Sequence, residues 1–281
     1  MKVAVAGGRV GLIVDGRFAD AVSASAGAIS GDPDRLYEEW DALRALADGF
    51  DDVSGFDPVD ESALELPGPL PRHVFGVGLN YRDHATESAM ELPDVPLVFM
   101  KASTSVVGPN VPVAIGGDAV DWEAELVVVI GRDCHKVAPA DAWSVVAGLT
   151  IGQDLSDRDV QFEAGANAQF GLGKSAPGFG PVGPWIVTQD EFDAALDLDL
   201  RCTVNGVEKQ HSTTGQLIFD VPTLVSFLSE RVQLLAGDLI FTGTPSGVGW
   251  GRSPKEYLAA GDEITTTIEG IGTLITRMVS A

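Results

Sequence analysis

Val120 to Arg132 reads VDWEAELVVVIGR: acidic first, then apolar, then closed by a glycine. Leu126, Val127, Val128, Val129 and Ile130 are consecutive branched apolar residues, all but the leucine β-branched. Bounded by Gly131, that run predicts a strand buried on both faces. Side chains alternate along a strand, so Glu123 and Glu125 share one face at its mouth. Two like charges held side by side away from water repel and lose hydration unless a cation or proton sits between them. The pair therefore marks a candidate metal position. Two solvated carboxylates at an exposed strand end are the bland alternative, since glutamate is mostly exposed.

Upstream, VAVAG, RVGLIVDG and RFADAV predict a small antiparallel meander over residues 1–23, with Asp15-Gly16 as a hairpin turn. Asp32 and Pro33 predict the start of a helix running to Ala47, with Leu36, Trp40, Leu43 and Ala47 on its apolar face. Residues 48–72 are acidic and broken by Pro and Gly, which reads as a linker or a draping loop. The boundary of a small N-terminal α/β region is placed there, giving 1–70 and a catalytic domain over 71–281.

Downstream the pattern turns to short strands with few long helices. Strands are expected at VFGVG, LVFMK, LTIGQD and GDLIFTG. Short helices are expected at NYRDHATESAMELP and APADAWSVVAG, and a longer one at VPTLVSFLSERV behind Asp220. DLDLRCTVNGVEKQHST reads as a hairpin turning at Asn205-Gly206, and DEITTTIEGIGTLITRMV as another. Strands dominate without regular βα alternation, so the fold class is α+β, a mixed sheet or roll, rather than a doubly wound sheet.

The chain has 281 residues, with 41 acidic against 18 basic and a formal net charge of −23. That balance argues against nucleic acid and anionic membrane surfaces as partners. An anionic substrate needs a local positive site within this negative field. The Walker-type phosphate loop G-x-x-x-x-G-K-[ST] does not occur. Cys134 and Cys202 are the only cysteines, too sparse for a disulfide framework or a cysteine zinc site. The N-terminus does not read as a signal peptide, and no apolar run approaches the ~18 residues of a membrane span. A soluble, cytoplasmic protein is expected.

Three more clusters bear chemistry. In GQDLSDRDVQ, Asp154 ends an apolar run and Arg158 and Gln161 follow. A helix starting at Asp154 would put all three on one face; an ordinary Asp–Arg pair at i,i+4 is the bland alternative. In FGLGKSAPGFGPVGPW, Lys174 is either a loop charge or a positioned cation. In NYRDHATE, His84 and Glu87 are neighbours on a short helix, the arrangement that orients a general base, or else a surface contact. Glu123, Glu125 and Asp154 together form an oxygen-only set, which suits Mg²⁺, Mn²⁺ or Ca²⁺ rather than zinc or copper. Arg158 and Lys174 would offset the remaining negative charge.

DWEAELVVVIGR, GQDLSDRDVQ, LGKS and IFTGTPSGVG, in this order and spacing, resemble the fumarylacetoacetate hydrolase family over roughly residues 73–281. NYRDHATE resembles the His-x-x-Glu lid segment of its acylpyruvase-type members. The resemblance implies a mixed β-sandwich roll, a variable N-terminal region and a homodimer. It implies Glu123, Glu125 and Asp154 as metal ligands, Arg158, Gln161 and Lys174 as contacts to substrate and intermediate, and His84 with Glu87 as the water-activating dyad. Thr244 matches a hydroxyl that contacts a substrate carboxylate, and Lys101 sits where a polar residue often lies near the pocket. Two departures stand out: Gln153 replaces a common Asn before the ligand Asp, and Asp157 adds a carboxylate beside Arg158.

The expected activity is Mg²⁺-dependent hydrolysis of a C–C bond in a 2,4-dioxo acid of the acylpyruvate or fumarylpyruvate type. His84 would deprotonate the water that attacks C4, and the enolate of pyruvate would leave. Oxaloacetate decarboxylation, or isomerisation or hydration of a 2-oxo-enoic dicarboxylic acid, would use the same metal-enolate chemistry. A catalytically inactive oxo-acid-binding protein is the alternative of another class, and an intact His84, Glu87 and Lys174 argue against it.

Overall fold

A computed structural model describes residues 1–50, 53–87, 91–165, 167–193 and 196–281; the side chain of Glu87 lies outside the described residues. The run after Glu125 forms the strand Ala124–Ile130, buried along its whole length. Its alternate side chains enter two different cores. Leu126, Val128 and Ile130 pack into one that also holds Leu200, Ile264, Leu274 and Met278. Val127 and Val129 pack into another with Val3, Val5, Leu12, Trp40 and Leu43. An unbroken branched-apolar run suits this strand because neither of its faces meets water.

Among the described residues, the larger sheet has eleven strands. Ala124–Ile130 pairs antiparallel with Val146–Gln153 on one side and with Leu239–Phe241 on the other. Leu239–Phe241 runs parallel to Val74–Gly78, which pairs antiparallel with the edge strand Leu97–Lys101. On the far side, Val146–Gln153 pairs with Gly180–Val187, which pairs with Lys2–Ala6. The meander Lys2–Ala6, Arg9–Val14 and Arg17–Asp20 therefore extends the same sheet that carries the acidic strand. Its hairpin turns at Asp15 and Gly16, both with positive φ, as an Asp-Gly turn requires.

A smaller sheet orders its strands Val207–Thr213, Asp199–Val204, Glu263–Ile268, Gly272–Ser280 and Val113–Ile115. It packs over the first core, and the hairpins expected around Asn205-Gly206 and over residues 262–279 are both present. Mixed sheets with few helices make this an α+β fold, as the sequence pattern predicts.

Three expectations need correction. The helix foreseen from Asp32 to Ala47 is broken: Asp32 caps only a 3₁₀ turn, Pro33–Arg35, and the α-helix starts at Trp40. Glu39 folds back to accept Ser30 N–H and Oγ–H at 3.0 and 2.9 Å, so the chain between the two pieces is held by side-chain bonds. Leu36, Trp40 and Leu43 are nonetheless buried together. The segment Pro139–Val145 is a 3₁₀ helix throughout rather than an α-helix. The helix expected from Asp154 begins instead at Arg158 and ends at Phe162, and Asp157 caps it by accepting from Asp159 N–H and Val160 N–H. The Asp157 carboxylate is thus used as a helix cap.

Candidate active site

Adjacent strands bring the acidic residues together. Asp154 follows directly on Val146–Gln153, and its backbone N–H donates to the Glu123 carbonyl at 2.8 Å. Glu125 lies across from Gly152 in the ladder. A side chain at Gly152 would come within 2.6 Å of Val127 and Phe241, so only glycine fits opposite that carboxylate. The carboxylates of Glu123, Glu125 and Asp154 each place an oxygen within 4.8 Å of the others, and all three residues are buried.

Cations surround this set. Lys174 Nζ donates to Glu123 Oε2 and Asp154 Oδ2, both at 2.6 Å, and to Ser156 Oγ at 2.8 Å. Lys101 Nζ donates to Asp154 Oδ1 and, at 3.0 Å, to the Phe179 carbonyl. Arg158 donates to Glu123 Oε1 at 2.7 Å and to Gln161 Oε1 at 2.8 Å. Lys174 and Lys101 are fully enclosed, so neither is a loop charge.

Asp121 is a member of the site that sequence reasoning missed. It is fully buried and accepts both Nε and Nη2 of Arg158, at 2.9 and 2.7 Å. It also accepts the backbone N–H groups of Trp122, Gly249 and Trp250. Arg158 is thereby held by Asp121 and Glu123, not by Asp154 as an i,i+4 pair would have it. Gln153 has a comparable fixing role: its Oε1 accepts Glu123 N–H at 3.0 Å and its Nε2 donates to Thr266 Oγ1 at 2.7 Å.

The electrostatics separate the two glutamates. Burial alone would raise Glu123, but Lys174 and Arg158 outweigh it and hold its carboxyl down at about 2. Glu125 is raised well above the usual carboxylate range by burial, then by repulsion from Asp154 and Glu123. Its side chain accepts the Gly243 N–H at 2.7 Å. Burial pulls Lys101 down despite Asp154, whereas Asp154 and Glu123 outweigh burial at Lys174 and raise it. Counting Asp121, Glu123, Glu125 and Asp154 against Lys101, Arg158 and Lys174 gives 3 − 4 = −1. A proton on Glu125 or an added cation offsets that charge, so the oxygen-only set fits a hard divalent ion.

Thr244 lies beside this cluster, with Oγ1 donating to the Ala124 carbonyl at 2.9 Å and accepting from Gln210 Nε2 at 2.8 Å. His84 is half-buried on the helix Arg82–Glu87. That helix is moored to the acidic strand's neighbour: Asn80 Nδ2 donates to the Thr242 carbonyl at 2.7 Å, next to the Gly243 N–H that holds Glu125. A Cβ on Gly243, whose φ is +103°, would come within 2.9 Å of Asn80 Cβ. The Glu87 side chain, proposed partner of His84, lies outside the described residues.

Residues 73–279 match the model of the fumarylacetoacetate hydrolase C-terminal domain. The chain belongs to the fumarylacetoacetate hydrolase family. Within that family it is 45% identical over 226 residues to 2,4-didehydro-3-deoxy-L-rhamnonate hydrolase of Sphingomonas sp. (strain SKA58), covering 76% of this chain and 79% of that protein. It is 40% identical over 224 residues to the mitochondrial oxaloacetate tautomerase Fahd2a of Rattus norvegicus, covering 79% and 71%. The crystal structure of 5-carboxymethyl-2-hydroxymuconate delta-isomerase from Mycobacterium smegmatis superposes with a TM-score of 0.69 at 39% identity, over 82% of this chain and 86% of that one. As a fumarylacetoacetate hydrolase family member the chain is an enzyme, and the family's relatives include hydrolases, isomerases and a tautomerase. No helix among the described residues is long and apolar enough to cross a membrane.

Proposed function

We propose that the chain hydrolyses a C–C bond in a 2,4-dioxo acid, using a divalent cation, with Mg²⁺ or Mn²⁺ as the first choices. The observation that carries this reading is the buried triad Glu123, Glu125 and Asp154, braced by Lys174 and Arg158. Those three residues would hold the ion. Bound there, the ion supplies Lewis-acid stabilisation of the enolate that leaves when the C3–C4 bond breaks. The name of the Sphingomonas relative supports the substrate class: oxidised carbons at positions 2 and 4 flank a deoxygenated carbon 3.

The protein's own groups divide the rest of the work. With a dication added, the site's balance becomes −1 + 2 = +1, which suits a monoanionic acid. Arg158, fixed by Asp121 and Glu123, adds a rigid positive charge to the field that a substrate anion meets. Lys174 and Gln161 stabilise oxyanions. His84 takes the proton of the water that attacks the C4 carbonyl; its expected partner Glu87 has its side chain outside the described residues. Thr244 and Lys101 complete the substrate side. His84→Ala should abolish acylpyruvate hydrolysis with Mg²⁺ while calorimetric Mg²⁺ binding persists; hydrolysis at the wild-type rate would remove His84 from this role.

A second reading is favoured by the tautomerase relative: enolisation of oxaloacetate at the same cluster, which needs no attacking water. Oxaloacetate decarboxylation or isomerisation of a 2-oxo-enoic dicarboxylate would draw on the same enolate stabilisation. Parallel assays of acetylpyruvate and oxaloacetate with Mg²⁺ separate these outcomes.

A homodimer belongs to the same proposal. The edge strand Leu97–Lys101 leaves Leu97 and Met100 exposed, and Phe170, stacked on Phe99 at 5.9 Å, continues the apolar surface to Leu172. An uncovered apolar sheet edge is a surface that another chain covers. Light scattering should give twice 29.4 kDa for the wild type and a lighter species for Met100→Glu/Leu172→Glu.

A further inference from the structure

Tyr81 stands immediately before the helix Arg82–Glu87 and is fully buried. Its phenolic oxygen is one of two buried side-chain polar atoms without a hydrogen-bond partner among the described residues; the other is Thr276 Oγ1. Buried tyrosine hydroxyls are ordinarily paired, because a bare one loses its bonds to water and gains none. The charges that act on this hydroxyl are the carboxylates of Glu125 and Asp83. A phenolic hydroxyl carries its proton at neutral pH, so it can donate.

The position of Tyr81 is tightly held. Its backbone bridges to Leu217, and Asn80 O accepts Ile218 N–H at 2.8 Å. Asn80 also clamps both Phe219 and Thr242 through its side chain. Thr242 precedes Gly243, whose N–H holds Glu125. A rigid, enclosed, unspent donor therefore belongs to the segment that Asn80 ties to Thr242, the residue before the Gly243 N–H on Glu125. Nothing in the described protein uses it.

We propose that Tyr81 is a hydrogen-bond donor of the active site, its O–H kept for an oxygen of the bound oxo acid beside Glu125. This rests on the reading that the triad takes a divalent cation together with an oxo acid. It adds a contact that neither His84 nor Lys174 provides, from the same segment that carries His84.

The test is Tyr81→Phe, with oxalate as the probe. Without ligand, the variant should melt at or above the wild-type temperature, since no existing bond is removed. By calorimetry, Mg²⁺ affinity should stay within about threefold of wild type, and oxalate affinity in Mg²⁺ should fall about tenfold. Thr276→Val, which deletes the other unpaired hydroxyl, should leave oxalate affinity unchanged. An unchanged oxalate affinity in Tyr81→Phe overturns the proposal. So does a loss confined to Mg²⁺ alone, or a lower melting temperature of the ligand-free variant, which would reveal a partner within the protein. If the wild type itself binds no oxalate in Mg²⁺, the functional reading falls and Tyr81's role falls with it; failure of the Tyr81 proposal alone leaves wild-type oxalate binding intact.

Discussion

Lys174 Nζ lies 2.6 Å from Glu123 Oε2 and 2.6 Å from Asp154 Oδ2, so one buried ammonium bridges carboxylates at the adjoining ends of two neighbouring strands. Breaking a buried charge pair from one side leaves the other charge enclosed without compensation, which costs about 3–5 kcal/mol. Lys174→Met should therefore lower the ion-free stability by about that amount in urea unfolding. Saturating Mg²⁺ should recover part of the loss, because the ion replaces the missing positive charge. An unchanged urea midpoint would show that the bridge contributes no stability.

Glu125 accepts the Gly243 N–H, and burial with the repulsion of Asp154 and Glu123 outweighs that bond and the Lys174 charge. Its raised carboxyl means that a neutral amide is tolerated at that position in the ion-free protein. Glu125→Gln should melt at or above the wild-type temperature in EDTA at pH 7.5. Wild type in Mg²⁺ at a hundredfold excess over Kd gains about 2.7 kcal/mol, roughly 5 °C in Tm for a chain of this size. That gain should vanish in Glu125→Gln; a variant that keeps it would exclude Glu125 as a ligand.

Glu123 responds to acid in a defined sense. Its folded carboxyl is depressed to about 2 from an ordinary value of 4.5. A depressed carboxyl contributes stability that is fully present above about 4.5 and is lost as pH falls towards about 2. The stability difference between wild type and Glu123→Gln, read from urea unfolding in EDTA, should shrink steadily across that window. A difference independent of pH would mean that Glu123 is not held ionised by Lys174 and Arg158.

Asp121 touches no reacting group in the proposed chemistry and acts through Arg158. Asp121→Asn keeps its size but leaves the guanidinium one buried charge short, so destabilisation of about 2–4 kcal/mol is expected. A purely structural role would leave KM near wild type in the folded enzyme. A positioning role raises KM for the oxo acid about tenfold or more, while Asp121→Glu recovers little because the carboxylate is displaced along the chain. Steady-state kinetics on the two variants distinguish these.

Much of this was legible in order along the chain. The Leu126–Ile130 run announced a strand enclosed on both faces, and the two cores it fills bear that out. The meander, both late hairpins and the Asp220-capped helix followed from turn and cap residues whose chemistry is local. The carboxylate pair announced a shared face because strand alternation is a property of the backbone itself. Local rules went wrong where a side chain was claimed from elsewhere. Glu39 turned back to Ser30 and split the expected helix. Asp154, expected to open a helix, is held instead by Lys101 and Lys174, and Asp157 opens it.

Asp121 shows why the rest stayed hidden. In VDWEAE it is one acidic residue beside two others, with nothing to mark it. Its importance comes from Arg158, Gly249 and Trp250, residues distant in sequence that only the folded sheets bring to it. The unpaired hydroxyl of Tyr81 is the same case, since an absent partner has no spelling in a sequence. Composition, period and turn chemistry, acting between neighbours along the chain, determined the strands, the acidic set and the kind of ion it suits. Which carboxylate is held ionised by lysine and arginine, and which is left to a proton or a cation, was decided by packing, because a charge's energy depends on everything that surrounds it in three dimensions.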